Sequence, residues 1–354
     1  MVQPKTRKAE VFRPALQKLL HKNHGKDLST AAKNCKNWIF VPYDQVQGEF
    51  GLVGRAKTDD TGLILIESAA KASRRPYHKQ KLALILANMR HFALEMAERG
   101  FFVLYWQSSK SYANCLESIH SKFVSDKLIR VMRPAERELR RELSALESSI
   151  IETVEHEGWL TSLEDFERSQ KKLPFKMDSF YRYIRKKTKY LMAKGKYVGG
   201  KLSLDAENRE YWNGKPKVPS LPVFKMTRVK SEVLDFINEV FSHHPGEIDA
   251  DHLAVTAQDA QDLWQWAKRE CMASFGPFED AMHTESSNLF HTRISALLNI
   301  GRLWPSQIIE SVLALDIPIN SKEGFLRQVI GWREFVYHVH VITDGFTNYK
   351  DIEW

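Results

Sequence analysis

The sequence predicts an α/β domain built on a parallel sheet, followed by an all-α domain. Short apolar runs alternate with amphipathic segments over the first third of the chain, and the segments after residue 222 have helical periodicity. A proline-rich break at residues 214–222 separates the two patterns. We therefore divide the 354 residues into four predicted parts, which are a basic extension (1–35), the α/β domain (36–133), a helical linker (134–222) and the all-α domain (223–354).

The α/β prediction depends on four runs with the length and composition of buried strands, at residues 38–41, 63–67, 101–105 and 128–132. Amphipathic helices are predicted between them, at residues 82–96 and 114–122. This order predicts a Rossmann-like parallel sheet, which binds ligands at the carboxyl ends of its strands. Asp44 and Glu67 follow or end two of these strands. Each is predicted either to face a polar heterocycle or to cap the next helix.

The first 35 residues are strongly basic. Their cations are Lys5, Arg7, Lys8, Arg13, Lys18, Lys22, Lys26 and Lys33, against Glu10 and Asp27. A short amphipathic helix is predicted within them from Val11, Phe12, Ala15, Leu16, Leu19 and Leu20. Three interpretations stay open, namely a segment that contacts nucleic acid or an acidic surface, a solvated extension and an organellar transit peptide.

The composition indicates what kind of partner the protein has and which kinds of site it lacks. The net charge of +8 and the isoelectric point near 9.2 suit a polyanionic partner. No apolar run has the length of a membrane span and no signal peptide opens the chain, so we expect a soluble cytoplasmic protein without a membrane partner. Three scattered cysteines indicate structural thiols rather than a metal site or a disulfide framework. The absence of a GxGxxG or Walker sequence argues against a standard dinucleotide or NTP site.

Three middle segments have different predicted roles. Residues 134–172 predict an exposed, charged helix without chemistry that begins the connection between domains. Residues 175–187 interleave aromatic and cationic side chains, which is typical either of a surface that binds phosphates and stacks bases or of a packed helix with a basic outer face. Residues 199–209 predict a hydrogen-bonded linker that begins with a Gly-Gly turn.

Residues 324–336 combine an apolar stripe with charges. Phe325, Val329, Trp332 and Val336 recur at helical spacing, which predicts one inward face. Polar groups among them, Arg327, Gln328, Arg333 and Glu334, need partners if they are buried. The segment is either a core helix with solvated charges opposite or a helix that lines a cofactor pocket.

A second polar segment covers residues 288–303. Thr292 and Ser295 place hydroxyls at the start of a predicted helix, where free backbone N–H groups favour an anion. A simple capping pair for that helix is the alternative.

Several of these segments together resemble one known family. The sequence Arg-Gln-Val-Ile-Gly-Trp-Arg-Glu-Phe at 327–335 resembles the signature helix of the photolyase/cryptochrome superfamily. Within that superfamily it resembles the branch of prokaryotic photolyase-related proteins, which usually carry an iron–sulfur cluster. Residues 74–81 and 89–92 resemble the antenna-domain motif of that branch, and residues 288–303 resemble the pyrophosphate-binding turn. The resemblance is collinear over residues 36–346.

The resemblance implies two cofactors. Thr292, Ile294 and Ser295 would hold FAD with His291 beside them, and Arg333 would contact the flavin. Asp44 and Glu67 would lie near the pocket of an antenna chromophore, with 6,7-dimethyl-8-ribityllumazine as the expected compound.

It also implies a function. The chain would be a light-dependent DNA-repair flavoprotein, a carbon–carbon lyase that transfers an electron from reduced FAD to a pyrimidine lesion of the (6-4) type in UV-damaged DNA. Gln328 and Trp332 would face the lesion as catalytic residues. A non-catalytic, cryptochrome-like flavin photosensor or a truncated inactive relative is the alternative.

The sequence departs from the family in two ways. Ala296 replaces a proline of the pyrophosphate-binding turn. Family members continue beyond the signature helix, whereas this sequence ends at Trp354. We therefore expect an incomplete all-α domain without metal ligands and without the 4Fe–4S cluster. A complete chain of this kind would be a monomer, whereas a truncated one would associate and bind FAD weakly.

Overall fold

The computed structural model describes residues 10–170 and 172–347. Predictions for Lys5, Arg7, Lys8 and Trp354 lie outside these residues. The contacts divide the chain into two compact units. Unit 1 contains the described residues of Met1–Glu157 together with Val223–Ala260 and Asn299–Arg302, and unit 2 contains Gly158–Pro222, Gln261–Leu298 and the described residues of Leu303–Trp354. The division therefore differs from the boundaries at 35, 133 and 222 that the sequence suggests.

The elements of the first 157 residues all belong to unit 1. In chain order they are α1 (Phe12–His24), α2 (Leu28–Asn34), β1 (Asn37–Phe40), α3 (Gly51–Arg55), β2 (Thr61–Ser68), α4 (Ala69–Ser73), α5 (Lys79–Glu98), β3 (Phe102–Ser108), α6 (Tyr112–Ile119), a π-helical turn (His120–Val124), β4 (Ile129–Met132), α7 (Arg137–Ser144) and β5 (Ile151–Val154).

The later elements are mainly helical. They are α8 (Leu163–Ser169), α9 (Met177–Thr188), β6 (Met192–Ala193), β7 (Lys196–Tyr197), a 3-10 turn (Asp205–Glu207), α10 (Arg228–Val240), α11 (Ala257–Glu270), α12 (Met272–Phe275), α13 (Ser295–Asn299), α14 (Pro305–Ala314), α15 (Ile319–Leu326), a π-helix (Arg327–Arg333) and α16 (Glu334–Ile342).

A five-stranded parallel sheet forms the centre of unit 1, in the order β3-β2-β1-β4-β5. The four predicted strands are confirmed. All eight residues of β2 are buried, as expected for a strand covered on both faces. The approach of β1 to β2 requires Gly62, because a Cβ there would lie 2.5 Å from the Trp38 ring.

The prediction of a single exposed helix over 134–172 is wrong, because this stretch contains two short helices, α7 and α8, with the strand β5 between them. Strand β5 pairs in parallel with β4, with Ile151 opposite Ile129. The strand is short and its Glu152 is exposed, so its sequence pattern was weak. Pairing with β4 supplies the hydrogen bonds that the local sequence did not predict.

Helix α1 confirms the amphipathic helix that was predicted within the basic extension. Phe12, Leu16 and Leu20 form its buried face. The helix packs against α5 and β3, so this part of the extension is a layer of unit 1 rather than a solvated arm. Two lysines of the basic extension, Lys18 and Lys22, lie on the exposed side of this helix.

Helix α10 also belongs to unit 1, although the sequence suggested a later domain. Val233, Ile237 and Phe241 pack with Leu82 and Leu86 of α5 in one apolar core. The short segment Asn299–Arg302 returns to the same unit.

The side chain of Arg302 holds the segment Asn299–Arg302 in unit 1 through hydrogen bonds to helix α5. Its guanidinium donates to the Asn88 side chain at 2.8 Å and to the Glu95 carboxylate at 2.5 Å.

Unit 2 consists of helices and the small β6–β7 hairpin, with helix α11 beginning in unit 1 and ending in unit 2. Cys35, Cys115 and Cys271 are buried free thiols. Burial raises the pKa of Cys35 to about 11 and that of Cys271 to about 12, which makes both thiols inert near neutral pH. Over residues 10–170 and 172–347, none of the helices combines the length and the apolar composition that a bilayer crossing needs.

Candidate functional site

Unit 1 contains a cavity of about 790 Å³ at the carboxyl ends of β2 and β3. Its volume is typical of a site for a small organic ligand. The first turn of α1, helix α5 and helix α10 contribute to its walls. Polar residues that line it are Ser68, Gln107, Ser108, Ser109, Ser231 and Asn238. The cavity lies where a parallel sheet is expected to bind a ligand.

A buried ion network forms one side of this cavity. Arg90 of α5 donates to both carboxylate oxygens of Glu67, at 3.1 and 2.8 Å, and to Glu232 at 2.8 Å. The Tyr105 hydroxyl donates to Glu67 at 2.8 Å. Although burial alone would lower the pKa of Arg90, the nearby Glu67 carboxylate raises it above its ordinary value. Glu67 is thus a cavity-lining carboxylate that Arg90 and Tyr105 hold in place by hydrogen bonds.

Asp44 is placed differently. It follows β1 and is not among the residues that line the cavity. Its Oδ2 accepts a hydrogen bond from the Ala135 backbone N–H at 3.0 Å, which ties the end of β1 to the segment before α7. Burial raises the pKa of Asp44 to about 6. The structure therefore brings only one of the two predicted carboxylates to the cavity.

The predicted pyrophosphate turn lies in unit 2, directly before the five-residue helix α13. Arg293 has a φ of +58°, so the chain turns sharply between Thr292 and Ile294. Ser295 is the first residue of α13 and is exposed, whereas Thr292 and Ile294 are buried and His291 is half-buried. Within the described part of the chain, neither the Thr292 nor the Ser295 hydroxyl has a protein hydrogen-bond partner. Both hydroxyls are therefore available to a ligand.

The signature segment at 327–333 is a π-helix, and this changes which side chains face inward. Phe325 and Val329 are buried as predicted, but Trp332 and Val336 are 43% and 46% exposed. A π-helix has more residues per turn than an α-helix, so the inward face shifts to Ile330 and Gly331. The prediction of an inward Trp332 and Val336 is therefore wrong, and Trp332 presents its indole at the surface of unit 2.

Some polar atoms of the Arg333 side chain have partners, and its Nε has none among the described residues. Its guanidinium lies 3.9 Å from the Trp159 ring centroid and donates to Glu334 at 3.0 Å. Burial lowers the pKa of Arg333, and the Glu334 carboxylate opposes that shift. Its Nε is buried without a partner among the described residues. A buried N–H of this kind costs free energy unless an acceptor reaches it.

The Glu334 carboxylate, which accepts a hydrogen bond from Arg333, is itself held by three further hydrogen bonds. Glu334 accepts the backbone N–H groups of Leu160 and Thr161 at 2.9 and 3.0 Å, and the Thr161 hydroxyl at 2.8 Å. The Trp159 ring stacks on Tyr337 with centroids 3.7 Å apart. The sequence indicated no role for Trp159, because it lies far from Arg333 along the chain.

Gln328 contacts a buried charged cluster. Its Nε2 donates to Glu279 Oε1 at 3.3 Å, and Arg327 bridges Glu279 and Asp205. Burial raises the pKa of Glu279 to about 7. The sequence indicates no role for Glu279, because this residue follows a helix and belongs to no local motif.

Carboxylate oxygens of Asp205, Glu279 and Asp280 lie close enough together to hold a metal ion, but Arg327 already supplies the positive charge at two of them. Gly324 allows this arrangement, because a Cβ there would collide with Glu279 and Asn208.

Helix α9 separates its aromatic and cationic residues. Phe180 and Tyr181 are buried, whereas Arg182 and Lys186 are exposed. Arg185 is fully buried and donates to the Leu202 and Leu191 carbonyls at 2.6 and 2.7 Å. Of the two open interpretations, the packed helix with a basic outer face describes this arrangement. The outer face remains able to contact phosphates.

The chain is similar in sequence to known proteins. Residues 39–253 match the family described as deoxyribodipyrimidine photo-lyase-related protein. Over 301 residues the chain is 30% identical to a (6-4) photolyase from Agrobacterium fabrum (strain C58 / ATCC 33970). That similarity covers 82% of this chain and 59% of the relative, so the chain spans less than two thirds of the relative's length.

Proposed function

The chain belongs to the family of deoxyribodipyrimidine photo-lyase-related proteins, and from this premise we propose that it is a light-dependent DNA-repair flavoprotein. The proposed reaction is that of a carbon–carbon lyase on (6-4) pyrimidine lesions in UV-damaged DNA. The observation that carries the proposal is the 30% identity to a (6-4) photolyase over 301 residues. Because the chain covers 59% of that relative, its activity, its substrate and its DNA partner are all parts of the proposal.

The proposed cofactor of unit 2 is FAD. Its pyrophosphate would be bound by the hydroxyls of Thr292 and Ser295, with Ile294 and His291 beside it. Both hydroxyls lack a protein partner within the described residues, which fits an acceptor-rich ligand. The unpartnered Nε of Arg333 fits a contact with the flavin for the same reason. When bound and reduced, FAD supplies the photoexcited electron that the reaction requires.

Trp332 and Gln328 are the proposed lesion-facing residues. The exposed indole of Trp332 offers a surface on which a flipped base can stack. Gln328 donates from its Nε2 to Glu279, so its Oε1 stays free among the described groups and can accept an N–H from the lesion. Glu279 thereby fixes which end of the amide points to DNA.

The cavity of unit 1 is the proposed antenna site, with Glu67 as its ligand-facing carboxylate. Five carboxylates line the cavity (Glu10, Glu67, Glu232, Asp235 and Glu239), against three arginines (Arg13, Arg90 and Arg228). This excess of negative charge disfavours a phosphorylated ligand. The hydroxyl and amide side chains fit a neutral polyhydroxylated heterocycle, which is the chemistry of 6,7-dimethyl-8-ribityllumazine. Asp44 is outside this cavity and keeps its contact with Ala135.

Repair under illumination tests the function. The purified chain is reconstituted with FAD, reduced, and illuminated with duplexes that carry either a (6-4) lesion or a cyclobutane dimer. We expect light-dependent restoration of the (6-4) duplex only, and none in darkness. A Trp332→Ala variant should keep its FAD and lose repair. Stoichiometric FAD without repair of either lesion would instead support a cryptochrome-like photosensor, and failure to bind FAD would contradict both functions.

A further inference from the structure

The first turn of α1 forms one wall of the unit 1 cavity. Val11 and Arg13 line the cavity together with Glu10. Phe12 is 1% exposed, and its ring packs against Tyr105 with centroids 4.6 Å apart. These residues precede residue 39, where the family match begins. The cavity is therefore built partly from a segment outside that match.

Glu232 of α10 anchors the start of α1. Its Oε2 accepts the backbone N–H groups of Val11 and Phe12, at 2.6 and 2.9 Å. No side chain of α1 caps the helix itself, so this carboxylate supplies the acceptor that the free N–H groups require. The other oxygen of Glu232 accepts from Arg90 at 2.8 Å. One buried network thus joins α1 to α5 and to the cavity.

Phe12 also shields that network. The Arg90 guanidinium lies 5.5 Å from the Phe12 ring and 5.8 Å from the Phe236 ring, so two aromatic side chains lie beside it. The removal of water around Arg90 strengthens its attraction to Glu67. The start of α1 therefore helps to keep Glu67 oriented.

Arg13 makes a weaker contact at the rim. Its Nε donates to the Gln107 side-chain oxygen at 2.9 Å, and it pairs with Glu10 at 3.0 Å. Gln107 lies near the end of β3 and lines the cavity. The Arg13 side chain is 52% exposed, so this hydrogen bond can break without exposing the core.

We propose that α1 retains the ligand of this cavity, with Phe12 and Glu232 fixing the wall and the Arg13–Gln107 hydrogen bond closing the rim. This inference rests on the proposed function only for the identity of the ligand. It assigns Arg13 and Gln107 to ligand retention, a role that the motifs of the sequence did not indicate.

The first test measures how long a ligand stays bound. The chain is loaded with 6,7-dimethyl-8-ribityllumazine, and the dissociation rate is followed by fluorescence after dilution. Arg13→Ala and Gln107→Ala should each raise the rate about two- to tenfold, which corresponds to the net free energy of one hydrogen bond. The double variant should add little to either single change. Lys22→Ala, on the exposed side of the same helix and away from the cavity, should leave the rate unchanged.

The second test needs no ligand. A Ser231→Cys substitution places a thiol on the cavity wall, and its alkylation by iodoacetamide reports access to the cavity. The three native thiols are buried, so the unsubstituted chain gives the background rate. Adding Arg13→Ala to Ser231→Cys should accelerate alkylation, whereas adding Lys22→Ala should not.

The two tests separate the proposals. If the lumazine does not bind but Arg13→Ala accelerates alkylation, the antenna ligand is misassigned and the role of α1 stands. If the lumazine binds and Arg13→Ala changes neither its release nor the alkylation rate, the role of α1 is refuted while the antenna proposal stands. Unchanged alkylation without lumazine binding refutes both.

Discussion

Gln328 Nε2 donates to the buried carboxylate of Glu279 across 3.3 Å, so a side chain of the π-helix is oriented by a residue 49 positions earlier. Glu279 is held in turn by Arg327, and Asp205, Asp280 and Glu323 place further negative charge nearby. Burial is the largest cause that raises the pKa of Glu279 to about 7, while Arg327 opposes it. The orientation of Gln328 therefore depends on a carboxyl group that titrates near neutral pH.

The first prediction concerns stability against pH. Glu279 titrates near 4.5 in an unfolded chain and near 7 in the folded one, so between these values the folded state binds more protons. The contribution of Glu279 to the free energy of unfolding therefore falls as pH rises through this window. Glu279→Gln should remove that dependence, and urea unfolding at pH 5 and pH 7.5 should differ less than in the unsubstituted chain.

The matched control is Glu164→Gln, which changes an exposed carboxylate that pairs with Arg168. It should leave the pH dependence as it is. An unchanged difference between the two pH values in Glu279→Gln would mean that another group carries the titration.

The second prediction concerns FAD. Replacing Arg333 alone would leave the fully buried Glu334 without its counter-charge, so the informative change is Arg333→Ala combined with Glu334→Gln. We expect FAD affinity to fall about tenfold or more, because a charge-assisted hydrogen bond is lost. Flavin absorbance after gel filtration measures this, and circular dichroism checks the fold. Glu334→Gln alone is the control. Equal FAD content in both variants would show that Arg333 does not contribute to FAD binding.

The third prediction concerns DNA. Phosphate contacts should make binding salt-dependent, with a log–log slope of about −0.9 for each neutralised phosphate. Trp332→Ala should weaken binding to a (6-4) duplex by about 1–3 kcal/mol, the contribution of one stacked base, without changing the slope. Fluorescence anisotropy over a salt series measures both quantities. Val336→Ala removes a similarly exposed apolar side chain nearby in sequence and should have little effect; equal losses in the two variants would argue against stacking on Trp332.

The fourth prediction concerns the buried ion network. Glu67→Gln should lower the free energy of unfolding by about 3 kcal/mol, the lower end for a broken buried pair, because Arg90 keeps Glu232. Glu152→Gln, which disrupts the exposed strand pair with Arg130, should cost about 0–1 kcal/mol. Urea unfolding of both variants makes the comparison. Similar costs would show that the Glu67 pair is not the stronger one.

Much of the α/β unit could be predicted because its signals are local. The apolar runs of β1 to β4 and the periodicity of α1 and α5 lie within short stretches of chain, and the structure confirms them. The family resemblance likewise depended on contiguous motifs, and the comparisons confirm it. The roles of His291, Thr292, Ile294, Ser295 and Arg333 stay predictions, since each depends on a ligand rather than on a local pattern.

The sequence by itself determined the strands, the amphipathic helices and the family, because each follows from side chains that are neighbours along the chain. Only the tertiary structure decided that β5 joins the sheet, that α10 packs on α5 and that Glu279 reaches Gln328. These contacts join residues that are distant in sequence, so no local pattern encodes them. The exposure of Trp332 was decided in the same way, because the π-helix changes the number of residues per turn and turns this indole outward.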